Sequence, residues 1–218
     1  MTTLKEKLRL IGSTLVLILF AHDVQSAAVL DGFTDVQYAE NGIQYSDRNH
    51  TNQISDLSIT NTVLGHAKRI LTATAAPNEF TDISVNKGKL SISNSGFGDA
   101  SVLYSFDTID LAAFAKAIAI NISFIDLNVE IQLIANDDSV FAFHDFGGAG
   151  RYLVDFSQFS DPSEFTHLHS LELQFRGPEA WDAKFTQLAA VPEPSVTALF
   201  LIGLMALGIS VRREVATA

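Results

Sequence analysis

From Ile118 to Phe124 every second side chain is large and apolar. Ile118, Ile120, Ile122 and Phe124 fall on one side of an extended chain, with Ala119, Asn121 and Ser123 on the other. A helix turning about 100° per residue would scatter these groups around its axis, whereas a strand lines them up on one face. The same period recurs downstream. Val129, Ile131 and Leu133 alternate with Glu130 and Gln132, and Leu171, Leu173 and Phe175 alternate with Glu172 and Gln174. Val102, Tyr104 and Phe106 share a face within Ala100–Phe106. A chain built from such segments must bury one side of each strand against a second layer.

Turn chemistry joins the segments. Asn136-Asp137-Asp138 separates Val129–Leu133 from a strand over Val140–Phe143, which reads as a hairpin. Asn86-Lys87-Gly88 separates Thr81–Val85 from Lys89–Ile92 and supplies glycine for a left-handed position. Arg69–Thr74 reads as a strand from its threonines and Ile70, and Ala183–Ala189 as a closing strand. Leu111–Ala119 is rich in alanine but leads straight into the best-alternating strand, so it is expected to be a loop or a single turn started at Asp110. Ten or so short strands with regular turns predict an all-β fold, an antiparallel β-sandwich that is jelly-roll-like. The chain has no cysteine, so a packed core rather than disulfides must hold it, and thiolate chemistry is excluded.

The two ends differ in character from the middle. Lys5, Lys7 and Arg9 precede the apolar run Leu10–Ala21, and Val24-Gln25-Ser26 offers small residues to a peptidase. This is the layout of a signal peptide over residues 1–26, cleaved by signal peptidase between Ser26 and Ala27, with a second option after Ala28. At the other end Val191-Pro192-Glu193-Pro194 precedes Val196–Val211, a stretch without a charged residue, and then Arg212-Arg213. As a helix, 196–211 spans about 24 Å, marginal against a hydrocarbon core of about 30 Å. The paired arginines act as a stop-transfer signal on the cytoplasmic side. Between these ends, residues 27–190 form the exported β-sandwich domain, with 191–218 as a tail that reaches the membrane through its helix.

The ordered set of an N-terminal signal, Val-Pro-Glu-Pro, an apolar helix and Arg-Arg resembles the PEP-CTERM sorting system of Gram-negative bacteria. The resemblance implies that Pro192, Glu193 and Pro194 are the sorting motif read by exosortase. It also implies transient anchoring in the inner membrane, followed by processing to the cell surface or extracellular matrix. Five residues, Glu214 to Ala218, follow the arginines, a slightly longer ending than the pattern usually has. From Ala100 to Leu188 the layout is also similar to the jelly-roll domains of such proteins, which resemble carbohydrate-binding modules. In this stretch a strand and the Asp110-Leu111 loop precede paired long strands, a Phe-Ser loop and a Leu-Glu-Leu strand. That similarity implies extracellular polysaccharide as a partner, but it assigns no residue.

Charge narrows the partners further. The net charge is −11 at pH 7, and loss of the basic leader and basic stop makes the exported part more acidic still. Nucleic acid and an anionic membrane surface are thereby excluded as partners. Catalytic patterns are missing from the sequence: there is no serine elbow, no zincin helix and no cysteine nucleophile. Asp145–Gly150 is rich in glycine without the lysine of a phosphate loop, and reads as a loop or the rim of a ligand site. His167 and His169 share a face but need a third ligand, such as His144, to hold a metal. Asp107 and Asp110, and the turn pair Asp137 and Asp138, are either turn formers or ligands of a structural calcium.

Trp181, the single tryptophan, follows Gly177-Pro178. It either stacks on a sugar ring, with Tyr152 and further tyrosines (Tyr38, Tyr45, Tyr104) adding to the platform, or packs over the sandwich end. Phe141, Phe143, Phe156 and Phe159 read as core. The expected function is that of an exported, non-catalytic surface or matrix protein that binds exopolysaccharide. A secreted carbohydrate-active hydrolase and a purely structural matrix protein are the alternatives.

Overall fold

The computed structural model describes residues 27–42 and 55–192. These carry thirteen strands: β1 (Ala28–Asp31), β2 (Gln37–Gly42), β3 (Ser55–Ser58), β4 (Lys68–Ala75), β5 (Phe80–Asn86), β6 (Lys89–Asn94), β7 (Gly98–Ile109), β8 (Ala117–Ile125), β9 (Glu130–Ala135), β10 (Ser139–Asp145), β11 (Gly150–Asp155), β12 (Leu168–Arg176) and β13 (Asp182–Val191). They form two antiparallel sheets. One runs β11-β8-β13-β6-β5-β2, with β1 also on β13; the other runs β10-β9-β12-β7-β4-β3. From β6 onward the chain behaves as a long hairpin wrapped around itself. β6 lies beside β13 in the first sheet, β7 beside β12 in the second, β8 beside β11 in the first, and β9 beside β10 in the second. That alternation between layers is the winding of a jelly roll.

The predicted alternation becomes the core. Ile118, Ile120 and Ile122 of the first sheet face Val129, Ile131, Leu133, Leu171, Leu173 and Phe175 of the second, all buried. Both expected hairpins form. In the β5–β6 turn Lys87 and Gly88 take positive φ (51° and 75°), the mirror-image geometry that matches the twist of the flanking strands. In the β9–β10 turn Asn136 and Asp137 do the same. The segment before β8 is a short turn as expected, with Asp110 accepting from the Ala113 amide at 3.0 Å. One end of the sandwich is closed by 3₁₀ turns at Phe156–Gln158 and Pro162–Thr166, and Phe156 stacks on Phe165 with centroids 3.8 Å apart.

Two phenylalanines depart from the expected face for one shared reason. Between β8 and β13, Ile122 pairs with Phe185 but Phe124 pairs with Lys184 and Ile125 with Ala183. The extra residue moves Phe124 outward, where it is 42% exposed with Lys184 above its ring. Between β9 and β10, Phe141 pairs with Leu133 and His144 with Ile131, so a bulge turns Phe143 away from the core. A one-residue insertion reverses the facing of everything beyond it.

The N-terminal segment is tied in by a buried polar network. Arg69 on β4 donates from Nη1 to Asp31 Oδ2 at 2.6 Å and from Nε to Gln37 Oε1 at 2.7 Å, and its other amino group reaches the Asp35 carbonyl. Tyr104 Oη donates to the same Asp31 oxygen at 2.9 Å. Arg69, Asp31, Gln37 and Tyr104 are all buried. A charge pair taken out of water is tolerable only when its remaining hydrogen-bonding groups are satisfied, as here. Among the described residues no helix is long and apolar enough to cross a membrane. The expected helix 196–211, the motif residues Glu193 and Pro194, the stop Arg212-Arg213 and the signal residue Ser26 lie outside the described residues.

Candidate functional site

The outer face of the six-stranded sheet is crossed by rows of side chains fixed by register. Thr72 of β4 pairs with Ser101 of β7, Ser101 with Gln174 of β12, and Gln174 with Gln132 of β9. All four positions alternate with buried neighbours, so their hydroxyl and amide groups point outward. On one side of this row lies a second, in which Thr74 pairs with Asp99 and Arg176 with Glu130. On the other side Glu172 stands between Leu103 and Ile134. The rows floor a groove of about 350 Å³ lined by Thr72, Thr74, Asp99, Ser101, Phe143, Glu172, Gln174 and Arg176. A neighbouring hollow at Thr74, Asp99, Phe97 and Gly177 lengthens it, with Phe97 57% exposed.

Three contacts define the groove's chemistry. The Arg176 guanidinium lies 3.7 Å above the centre of the Phe143 ring, and its Nε donates to Glu130 Oε2 at 2.7 Å. Gln174 Nε2 donates to Glu172 Oε2 at 3.1 Å, which ties the two side chains together along β12. The bulge in β10 brings the Phe143 ring to the groove wall, so a residue read as core belongs to the site.

The predicted ligand residues lie elsewhere. Trp181 is fully buried, and its Nε1 donates to the Gly98 carbonyl at 3.1 Å. It therefore has no free ring face, and the stacking reading gives way to the packing one. The chain closes tightly over it, since a Cβ at Gly177 would come within 2.8 Å of the indole. Tyr152 is half-buried against Phe146, and its hydroxyl donates to the Gly148 carbonyl at 3.0 Å. It closes the Asp145–Gly150 loop rather than lining the groove. Tyr104 is buried in the Arg69 network, Tyr38 donates to Glu40, and Tyr45 lies outside the described residues.

The calcium candidates separate in the same way. Asp107 accepts from His66 Nδ1 at 2.6 Å, a bond that raises the His66 pKa above its ordinary value, and Asp110 starts the turn after β7. Asp137 and Asp138 sit in the exposed β9–β10 turn. His167 lies beside Glu164 at 3.2 Å, whereas His144 packs edge-on against Phe146. Among the described residues no three histidine, cysteine or acidic side chains converge on a point that could hold a metal ion. Asp110, Asp137 and Asp138 thus stand in turns, and Asp107 on β7 against His66.

The groove residues carried one signal in the sequence. Glu172, Gln174, Glu130 and Gln132 are the outward members of their alternating strands. Which of them become neighbours, and with which threonines and serines, is a matter of long-range register that no local pattern encodes.

No protein-family model matches the chain, and no curated protein matches it. Solved structures similar to it include two of a family 11 carbohydrate-binding module from Clostridium thermocellum. One, in complex with a β-1,3-1,4-mixed-linked tetrasaccharide, is 12% identical, covers 76% of this chain and 95% of that chain, and has a TM-score of 0.39. The other, the module of a cellulosomal cellulase, is also 12% identical, over 78% and 96%, with a TM-score of 0.39. A solution structure of the module CtCBM11 is 14% identical over 71% and 95%, with a TM-score of 0.36. At these values the likeness assigns no residue and no role to this chain.

Proposed function

We propose that this chain is an exported, non-catalytic surface or matrix protein that holds an extracellular glycan along the outer face of its six-stranded sheet. Export by signal peptidase and sorting by exosortase through Pro192, Glu193 and Pro194 complete the reading. The observation that carries the binding part is the Thr72–Ser101–Gln174 row flooring an open groove beside Phe143, with Gln132 next in register beyond it. Hydroxyls and amides in register present alternating donors and acceptors, which is what the hydroxyls of a sugar chain require, and a ring at the wall adds an apolar contact.

The separation of the two carboxylates that line the groove, Asp99 and Glu172, supports binding over hydrolysis by that pair. Asp99 and Leu103 are four residues apart on β7, and Glu172 lies opposite Leu103. At about 3.4 Å per residue, Asp99 and Glu172 stand roughly 14 Å apart along the strand, beyond the separation of about 5–10 Å that glycosidase carboxylate pairs need.

The test is affinity electrophoresis of the protein through gels containing soluble matrix polysaccharides, comparing the native chain with Gln174→Ala. Truncation removes the amide at the middle of the row, and the expected retardation corresponds to about a five- to tenfold weaker complex. Equal retardation of the two chains would move the site off this face. Self-association without retardation in any gel would favour the purely structural reading.

A further inference from the structure

The groove's charge is out of balance in a way that selects among glycans. One guanidinium serves three carboxylates on this part of the sheet: Arg176 among Asp99, Glu130 and Glu172. Its positive charge is already engaged, by Glu130 at 2.7 Å and by the face of Phe143 at 3.7 Å. Among the described residues Asp99 makes no side-chain hydrogen bond or ion pair, and Glu172 accepts only from the neutral amide of Gln174. The next cation on the same face, Lys68, is engaged with Asp56 at 3.4 Å. The two uncompensated carboxylates flank the Thr72–Gln132 row on opposite sides, too far apart to share a divalent ion, and the molecule around them carries a net charge of −11.

From this we infer that the groove takes an amine-bearing glycan, one whose hexosamine units are at least partly free of N-acetyl groups. This rests on the glycan-binding reading above. An ammonium group on the sugar ring completes a charge-assisted hydrogen bond with Asp99 or Glu172, while the ring hydroxyls meet the threonine, serine and glutamine row. Two carboxylates roughly 14 Å apart are engaged together by amines on separate units of one extended chain, so selectivity grows with the number of free amines. A uronate polymer meets the same two carboxylates as like charges and is rejected.

Isothermal titration of the full chain at low salt decides the matter. The probes are a β-1,4-linked glucosamine hexamer, the corresponding N-acetylglucosamine hexamer and an oligomannuronate. The glucosamine hexamer is expected to bind about tenfold more tightly than its acetylated counterpart, and oligomannuronate least. In Asp99→Asn/Glu172→Gln the preference should disappear while binding of the acetylated hexamer persists. Asp137→Asn/Asp138→Asn removes the same charge from a remote turn and should leave the preference unchanged, which separates the groove from general attraction of a polycation to an acidic protein. Equal affinity for the two hexamers, or a preference lost in the remote variant as well, overturns the amine assignment and leaves glycan binding standing. Binding of none of the three probes by protein with intact β-type circular dichroism overturns both.

Discussion

At Asp82 burial and a neighbouring charge work in the same direction on one carboxyl. It faces outward from β5 beside Ser93 of β6, and Asp182 of β13 flanks Ser93 on the far side. Partial burial, and then the neighbouring charge of Asp182, push its pKa from 3.8 to about 6. A carboxyl whose folded pKa lies above its unfolded value holds its proton more tightly in the folded state. Its contribution therefore favours folding below about pH 4 and is lost as pH rises through about 6. Asp82→Asn keeps the shape and removes the titration. Thermal unfolding should show the variant with a higher Tm than the native chain at pH 7 and a flatter Tm profile between about pH 4 and 7. Parallel profiles would mean that this carboxyl is as well solvated folded as unfolded.

At the scale of elements, the short β1 owes its place to side chains as much as to its own pairing. Asp31 reaches across to Arg69 of β4 and Tyr104 of β7, binding the first strand of one sheet to the centre of the other. Arg69→Met leaves Asp31 buried without its cation and should cost about 3–5 kcal/mol in urea unfolding. Asp31→Asn should cost a comparable amount, and the double variant distinctly less than the sum, because the second change removes the charge that the first left unpaired. Strict additivity would show that the pair contributes nothing as a pair. This dependence explains why β1 to β3 escaped the sequence reading while β9 and β12 did not. Ile131, Leu133, Leu171 and Leu173 announce their face by local alternation, but Ala28–Asp31 is four residues held by partners at positions 69 and 104. The candidate site was less legible for a related reason. Its floor gathers residues 72, 101 and 174 by register alone, and its aromatic wall exists because a bulge inverts Phe143. Trp181 stood between two readings for the opposite reason: the preceding Gly177-Pro178 allowed exposure as well as packing, and Gly177 is the residue that lets the chain close over the indole.

On the scale of the whole molecule, the proposed route makes a prediction about covalent structure. Mass spectrometry of the exported form should find an N-terminus near Ala27 and a C-terminus around Pro192 to Ser195, whereas an intact Arg213 would contradict processing of the tail. The pairing of β1 with β13 bears on the mechanics of a domain delivered by such a route. Ala28 lies opposite Ala190 and Val29 opposite Ala189, so the two boundaries of the sandwich emerge side by side. β13 is also held along its length by β8 on one flank, and by β6 and β1 in succession on the other. A pull transmitted through Pro192 runs along the axis of this strand and strains the ladders on both flanks at once, rather than opening them bond by bond. A load applied there would thus have to break many β13 hydrogen bonds together.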